Sequence, residues 1–164
     1  MLFQTVRMTP CDEESRNKLK QSDQIAALPV RFRASGDIEV LLITSRDTKR
    51  WVMPKGWPMK GVKPWKAAEI EALEEAGIRG RISHDRIGTY DYEKRLDDGS
   101  TVPCSVALYP IFVEKTLSDW KERDERERRW FSPKAAAKAV DEPGLSTLLQ
   151  RVSKKPSRLK FTQK

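Results

Sequence analysis

Apolar runs separated by turn residues divide the chain into short strands and three helices. The β-branched run Ile38–Thr44 predicts a buried strand, and Gln24–Arg33 predicts its hairpin partner across the turn Ala34–Asp37. Because Pro29 has no N–H for a ladder, we expect this first strand at a sheet edge or at a bulge. The same patterns predict further strands at residues 51–53, 79–83, 87–93, 102–113 and 128–131.

Three segments carry helix signals. Pro64 suits the first turn of a helix that runs to Ala76, and Gly77 is its stop signal. Ser132 is the predicted N-cap of a helix over residues 133–140, and residues 143–152 form the last predicted helix. Since strands and helices interleave along the chain, we predict an α/β (α+β) fold in which a mixed central sheet carries helices on both faces.

Composition limits the class of protein. A chain of 164 residues suits one domain, which we place at residues 23–152, with an extension at 1–22 and a basic tail at 153–164. No apolar run is long enough to span a membrane and no signal peptide is evident, so we expect a cytoplasmic protein without membrane partners. One histidine, His84, and two cysteines exclude a multi-histidine metal site and a disulfide framework.

The net charge of +8 favours an anionic partner, either nucleic acid or a small polyphosphate. Part of the excess lies in residues 151–164, which hold six basic residues and no acidic residue, as a solvated tail would. The chain shows no interleaving of aromatic and basic residues typical of an RNA-binding surface. We therefore favour a small polyphosphorylated partner over nucleic acid, and expect a monomer or a homodimer.

The predicted helix at 64–76 places Glu71, Glu74 and Glu75 on one arc, because successive helical residues are offset by about 100°. These like charges repel each other, and a divalent cation would relieve the repulsion. Carboxylate oxygens suit Mg²⁺ or Mn²⁺, although an ordinary acidic helix face remains the alternative. The rest of the helix offers apolar or small side chains that we expect to face the sheet: Ile70, Leu73, Ala68, Ala72 and Ala76.

Residues 56–78 resemble the Nudix box, G-x5-E-x7-R-E-U-x-E-E-x-G-U, where U is aliphatic. The matching residues are Gly56, Glu71, Glu74, Glu75, Gly77 and Ile78, with Ala72 small for its aliphatic position. The resemblance implies a Nudix-like α/β/α sandwich. It also implies that Glu71 and Glu75 bind Mg²⁺ or Mn²⁺, and that Glu74 binds metal or acts as general base. A backbone carbonyl of Lys55 or Gly56 is expected to complete the site.

Two box positions depart from this pattern, with Val62 in place of glutamate and Ile70 in place of arginine. In the family that arginine orients the glutamates by ion pairing. Our hypothesis is that an apolar contact replaces the ion pair, which can preserve stability. The alternative is a catalytically weakened domain that binds nucleic acid or nucleotides.

Outside the box, Ser45-Arg46, Arg50-Trp51 and residues 53–56 resemble diphosphoinositol polyphosphate phosphohydrolases, as do Asp119-Trp120 and the arginine-rich run into Trp130-Phe131. The implied reaction is attack by metal-activated water on a diphosphate bond. Substrates that fit are diadenosine polyphosphates, diphosphoinositol polyphosphates and related nucleotides.

This resemblance implies phosphate contacts from Ser45, Arg46, Arg50 and Arg128. Lys55 and Lys60 precede the helix and are expected to reach phosphates as point charges. Arg31 and Arg33 share one strand face and are candidates for a further contact. Each arginine has an alternative as an ordinary surface charge. Trp57 either packs in the core, which we favour, or stacks on a nucleobase.

Overall fold

The computed structural model describes residues 24–156 and residue 159, so the predicted N-terminal extension and most of the basic tail lie outside the described residues. The strands are β1 (Gln24–Phe32), β2 (Ile38–Thr44), β3 (Trp51–Val52), β4 (Lys55–Gly56), β5 (Ile78–Ile82), β6 (Gly88–Arg95), β7 (Thr101–Thr116) and β8 (Arg128–Phe131). The helices are α1 (Pro64–Ala76), α2 (Pro133–Ala139) and α3 (Pro143–Lys154). In this part of the chain no helix is long and apolar enough to cross a membrane.

One mixed sheet organises the fold. Strand β1 runs parallel to β7 and antiparallel to β2, in the order β3-β2-β1-β7-β5, while β4, β6 and β8 add to β1, β7 and β2. Side chains alternate along β1, so Ile25 and Ala27 pack against α1, whereas Ala26 and Leu28 face α2 and α3. The predicted mixed sheet with helices on both faces is confirmed.

Strand β1 is central, so the prediction that Pro29 marks an edge strand or a bulge was wrong. The Ala27 N–H donates to the Pro54 carbonyl at 2.9 Å, and the Arg33 N–H donates to the Asp37 carbonyl at 2.8 Å. By alternation the Pro29 nitrogen faces that same side. It lies between residues 25–26, which pair with β4, and residues 30–32, which pair with β2. Proline therefore sits where the strand changes neighbours.

Helix α1 approaches the sheet through alanines. Ala67, Ala68, Ala72 and Ala76 are fully buried. Ile70 and Leu73 are only half-buried and lie outside the core cluster beneath the helix, so their predicted packing against the sheet was wrong. The small side chains bring the helix backbone close to β1, which turns Glu75 towards the interior.

Candidate functional site

The three glutamates of α1 do not have equivalent surroundings. The Glu75 side chain is 10% exposed, and its two oxygens accept from the Lys55 N–H at 2.9 Å and pair with Arg126 at 3.2 Å. Glu71 is half-buried, and it lines the same surface cavity as Glu75. Glu74 does not line that cavity, and its carboxylate is 3.6 Å from the Lys121 Nζ. Among the described residues, no three His, Cys, Asp or Glu side chains converge closely enough to hold a metal ion.

Gly56 lets the Glu71 carboxylate approach the backbone of β4. An added Cβ at position 56 would overlap that carboxylate. Strand β4 is held against β1 by pairing of Ile25 with Gly56 and of Ala26 with Lys55. The fold therefore gathers two carboxylates and a short backbone segment, a set of oxygen donors that suits Mg²⁺ or Mn²⁺.

Burial and like charge disfavour ionised carboxylates here. Burial, followed by repulsion from Glu75, Glu74 and Glu122, raises the pKa of Glu71 to about 7. Burial also raises the pKa of Glu75, against the opposing effects of Arg126 and the Lys55 N–H. A cation placed between such groups would favour their charged forms, so the electrostatics fit a cation-binding position.

A cavity of about 960 Å³ opens beside these carboxylates. Its basic lining residues are Arg46, Arg50, Lys55, Lys94, Arg95 and Arg126. Lys55 lies with its Nζ 5.0 Å from the centre of the Tyr92 ring, and burial lowers its pKa against the pull of Glu75 and Glu142. The cavity thus combines the Glu71 and Glu75 carboxylates with six basic residues, and Asp47, Glu93 and Asp97 also line its wall.

The residues predicted to bind substrate fall into two groups. Ser45, Arg46, Arg50 and Lys55 line the cavity, whereas Arg31, Arg33, Lys60 and Arg128 do not. Arg31 pairs with Glu39 at 2.9 Å and stacks 4.0 Å from the centre of the Trp130 ring, and Arg33 is 3.9 Å from Glu39. Both arginines are exposed at the end of the β1–β2 hairpin.

Arg128 contacts the C-terminus of α1. Its guanidinium donates to the carbonyls of Ala76 at 2.8 Å and Leu117 at 2.6 Å, and it stacks 3.9 Å from the Trp120 ring centre. Burial lowers its pKa. A cation at this end of a helix stabilises the negative end of the helix dipole, so these contacts are structural.

Several cavity residues were not predicted. Gln24 lines the cavity and accepts a hydrogen bond from the Tyr92 hydroxyl. Trp57 is 52% exposed at the cavity, so the favoured core placement was wrong. Arg126 lies in a highly charged segment whose sequence gives no sign of which side chain turns inward. Tyr92 and Arg126 reach the site through contacts between residues distant in sequence, which no local motif reports.

The NUDIX domain family model matches residues 22–152 of the chain. The chain belongs to the Nudix family. Proteins of this family generally use divalent metal ions. The resemblance inferred from the box residues is thereby confirmed, and the box extends from Gly56 in β4 through α1 to Ile78 at the start of β5.

Relatives span several organisms. Nudix hydrolase 16, mitochondrial, of Arabidopsis thaliana is 31% identical over 115 residues, which cover 68% of this chain and 63% of the relative. Diphosphoinositol polyphosphate phosphohydrolase 3-beta of Homo sapiens is 30% identical over 112 residues, which cover 66% of this chain and 64% of the relative. The chain spans 50% to 63% of the length of the Arabidopsis Nudix hydrolases 12, 13 and 16.

Solved structures show the same fold. A C. elegans Ap4A hydrolase binary complex superposes with a TM-score of 0.61 at 23% identity, covering 82% of this chain and 96% of that one. The NUDIX domain of Shewanella oneidensis NrtR, complexed with ADP ribose, superposes with a TM-score of 0.58 at 13% identity, covering 93% of this chain and 100% of that one.

The two departures from the Nudix box have different surroundings. Val62 is half-buried and packs against the core cluster beneath α1, as expected for an apolar replacement. Ile70 is half-buried outside that cluster. An ion pair to a box glutamate is nevertheless present, because Arg126 contacts Glu75. The hypothesis that an apolar contact replaced the ion pair is therefore corrected for this glutamate.

Proposed function

We propose that this Nudix protein hydrolyses a diphosphate bond in a small polyphosphorylated substrate, with Mg²⁺ or Mn²⁺ as cofactor. Candidate substrates are diphosphoinositol polyphosphates, diadenosine polyphosphates and related nucleotides. The observation that carries the proposal is a single cavity that places Glu71 and Glu75 together with six basic residues. Carboxylates without a cation would repel phosphates, so the arrangement suits a substrate that arrives with a divalent ion.

The residues that would hold the cation are Glu71 and Glu75, with the carbonyl of Lys55 or Gly56. The fit rests on the oxygen donor set and on Gly56, whose missing side chain leaves room for the Glu71 carboxylate. When bound, a divalent cation neutralises charge on phosphate oxygens and makes water a stronger nucleophile. The protein contributes by fixing the carboxylates on a helix that is anchored to the sheet.

Glu74 is our candidate for the general base that accepts a proton from the attacking water. Its side chain is 37% exposed and lies near the 69% exposed Lys121. An exposed ion pair of this kind is weak, so it opposes movement of Glu74 little. Glu74 lies outside the cavity lining, but its charge contributes to the raised pKa of Glu71, which supports a position close to the site.

Basic residues of the cavity lining would bind the phosphates. Arg46 is exposed, and the Arg50 guanidinium is 3.3 Å from Asp141 and 3.6 Å from Glu142. Arginine binds phosphate through paired N–H donors, while Lys55 supplies a point charge and Ser45 a hydroxyl. Relatives named diphosphoinositol polyphosphate phosphohydrolase support a substrate with many phosphates.

The test is a screen of polyphosphorylated inositols and nucleotides with Mg²⁺ or Mn²⁺, with products identified by mass spectrometry. We expect metal-dependent release of phosphate that falls by orders of magnitude in Glu71→Gln and Glu75→Gln. Glu69→Gln is the matched control on the same helix, because Glu69 pairs with Lys66 at 2.8 Å away from the cavity. Unchanged turnover in both cavity variants would refute the assignment.

The same variants separate the enzyme from a weakened Nudix domain that binds nucleic acid. Such a module would bind RNA with affinity that falls steeply with salt and is indifferent to the glutamate substitutions. The cytoplasmic location and the oligomeric state, monomer or homodimer, stay predictions. Cell fractionation and sedimentation measurements address them directly.

A further inference from the structure

We propose that Arg126 is the positioning residue that holds the Glu75 carboxylate in its orientation at the cavity. The inference rests on the proposed function, in which Glu75 holds a divalent cation. Arg126 belongs to the connection between β7 and β8, 51 positions along the chain from Glu75.

Each oxygen of Glu75 has its own fixed partner. Oε1 is 3.2 Å from the Arg126 guanidinium, and Oε2 accepts from the Lys55 N–H at 2.9 Å. The side chains of Arg126 and Glu75 are 9% and 10% exposed. Charge-assisted hydrogen bonds shielded from water are stronger than exposed ones, so the carboxylate cannot turn without losing a strong contact.

Arg126 is itself anchored on two further sides. Its NH1 donates to the Thr44 carbonyl at the end of β2 at 3.1 Å, and its Nε donates to Glu122 at 3.1 Å. The planar guanidinium therefore bridges β2, the β7–β8 connection and α1. A group with three partners in one plane holds a defined place, whereas a single ammonium would satisfy fewer of them.

No other described cation takes this role. The one basic residue within α1, Lys66, pairs with Glu69, and position 70 is isoleucine. Within the described residues no Lys or Arg nitrogen lies within 4.0 Å of the Glu71 carboxylate. Lys121 beside Glu74 is 69% exposed and cannot fix a buried group. Arg126 is thus the cation in direct contact with the Glu75 carboxylate, whereas Lys55 acts on that carboxylate only at longer range.

Positioning and simple charge compensation predict different results for a lysine substitution. Arg126→Lys keeps the charge but loses the contacts that span Glu75, Glu122 and Thr44. Positioning predicts that this variant binds Mn²⁺ about 10- to 100-fold more weakly, the usual effect of removing a group that orients a metal ligand. A role limited to charge predicts unchanged affinity for the lysine variant. It also predicts tighter binding in Arg126→Met, because one positive charge near the cation is lost.

The measurement is titration of the full chain with Mn²⁺ followed by electron paramagnetic resonance, without substrate, together with thermal denaturation to check the fold. Arg123→Met is the matched control, because Arg123 lies in the same connection, is 56% exposed and is 3.9 Å from Asp119. We expect the control to bind Mn²⁺ as the wild type does. Steady-state kinetics on diadenosine tetraphosphate should show that Arg126→Lys lowers kcat more than it changes KM.

The outcomes separate this inference from the proposed function. Wild-type affinity for Mn²⁺ in Arg126→Lys, alongside loss of binding in Glu75→Gln, would overturn the positioning role and leave the proposed function intact. A raised KM with unchanged Mn²⁺ affinity would overturn it as well, since Arg126 would then act on the substrate. Absence of Mn²⁺ binding by the wild-type protein would refute both.

Discussion

Substituting glutamine for Glu71 removes one negative charge from the cavity while keeping the size of the side chain. In the folded, metal-free protein the pKa of Glu71 is raised from 4.5 to about 7, first by burial and then by Glu75, Glu74 and Glu122. The folded state therefore binds the proton of the Glu71 carboxyl more tightly than the unfolded chain does. The resulting contribution to the free energy of unfolding is fully present below pH 4.5 and is lost as the pH rises through about 7.

The interval between these two pKa values would correspond to about 3 kcal/mol for a fully buried group. Because the Glu71 carboxyl is half-exposed, solvent screening reduces the effect to about 1–2 kcal/mol. In a chain of this size that loss lowers Tm by about 2–8 °C. The glutamine variant carries no such penalty, so it should match the wild type near pH 5 and be more stable near pH 8.

Thermal denaturation of both proteins in a chelator, at half-unit steps from pH 5 to pH 8, measures this difference. Adding Mn²⁺ near pH 8 should then raise the Tm of the wild type and leave that of the variant almost unchanged, because a bound cation stabilises the folded state only where its ligands are intact. A difference in Tm between the two proteins that does not change with pH would refute the electrostatic account of Glu71.

Three further sets of substitutions test the site. Gly56→Ala should weaken Mn²⁺ binding about tenfold or more in a calorimetric titration, because the added Cβ displaces an oxygen of the Glu71 carboxylate. Unchanged affinity would contradict the proposal that Gly56 makes room for that carboxylate. Glu74→Gln should lower turnover by orders of magnitude, whereas Lys121→Met should leave it unchanged or higher; retained turnover in the glutamine variant would remove the proposed base. Val62→Glu with Ile70→Arg should raise turnover little, because a buried arginine already pairs with Glu75, and a large gain would count against that view.

Much of the fold follows from local signals. Pro64 and Gly77 bound helix α1 as predicted, and the Ser132 hydroxyl accepts from the Ala135 N–H at 3.1 Å as an N-cap. The position of Pro29 was not predictable in this way. Strand order depends on pairings such as Leu28 with Pro110, which join residues far apart in the sequence and leave no local pattern.

The candidate site shows the same limit. Helical spacing places the three glutamates on one arc of α1, but it does not tell which face of α1 meets the sheet. Ile70 and Leu73 are the more hydrophobic candidates, yet the smaller alanines are buried, because the backbone of α1 packs close to β1. That choice turns Glu75 inward and Glu74 outward. Side-chain hydrophobicity alone would have predicted a different face.

Arg126 and Arg128 illustrate why charge runs are hard to interpret from sequence. They stand two positions apart in one basic and acidic segment, and nothing local distinguishes them. In the fold one guanidinium holds the Glu75 carboxylate, while the other binds the carbonyl of Ala76 one residue later. Both arginines therefore act on the last turn of the helix that carries the carboxylates.

The connection between β7 and β8 therefore helps to hold the C-terminal end of α1 in place. Trp120 donates its indole N–H to the Glu75 carbonyl at 3.1 Å, and its ring lies where a side chain on Gly77 would be. Gly77 ends the helix with a φ of 64°, a conformation that glycine adopts at little cost. The C-terminal end of α1 is thus fixed by the Trp120 ring, the Arg128 guanidinium and the turn at Gly77, all of which lie outside the cavity lining. Substitution of Trp120 should change the chemistry of the site by moving Glu75, because Trp120 contacts the Glu75 carbonyl and lies outside the cavity lining.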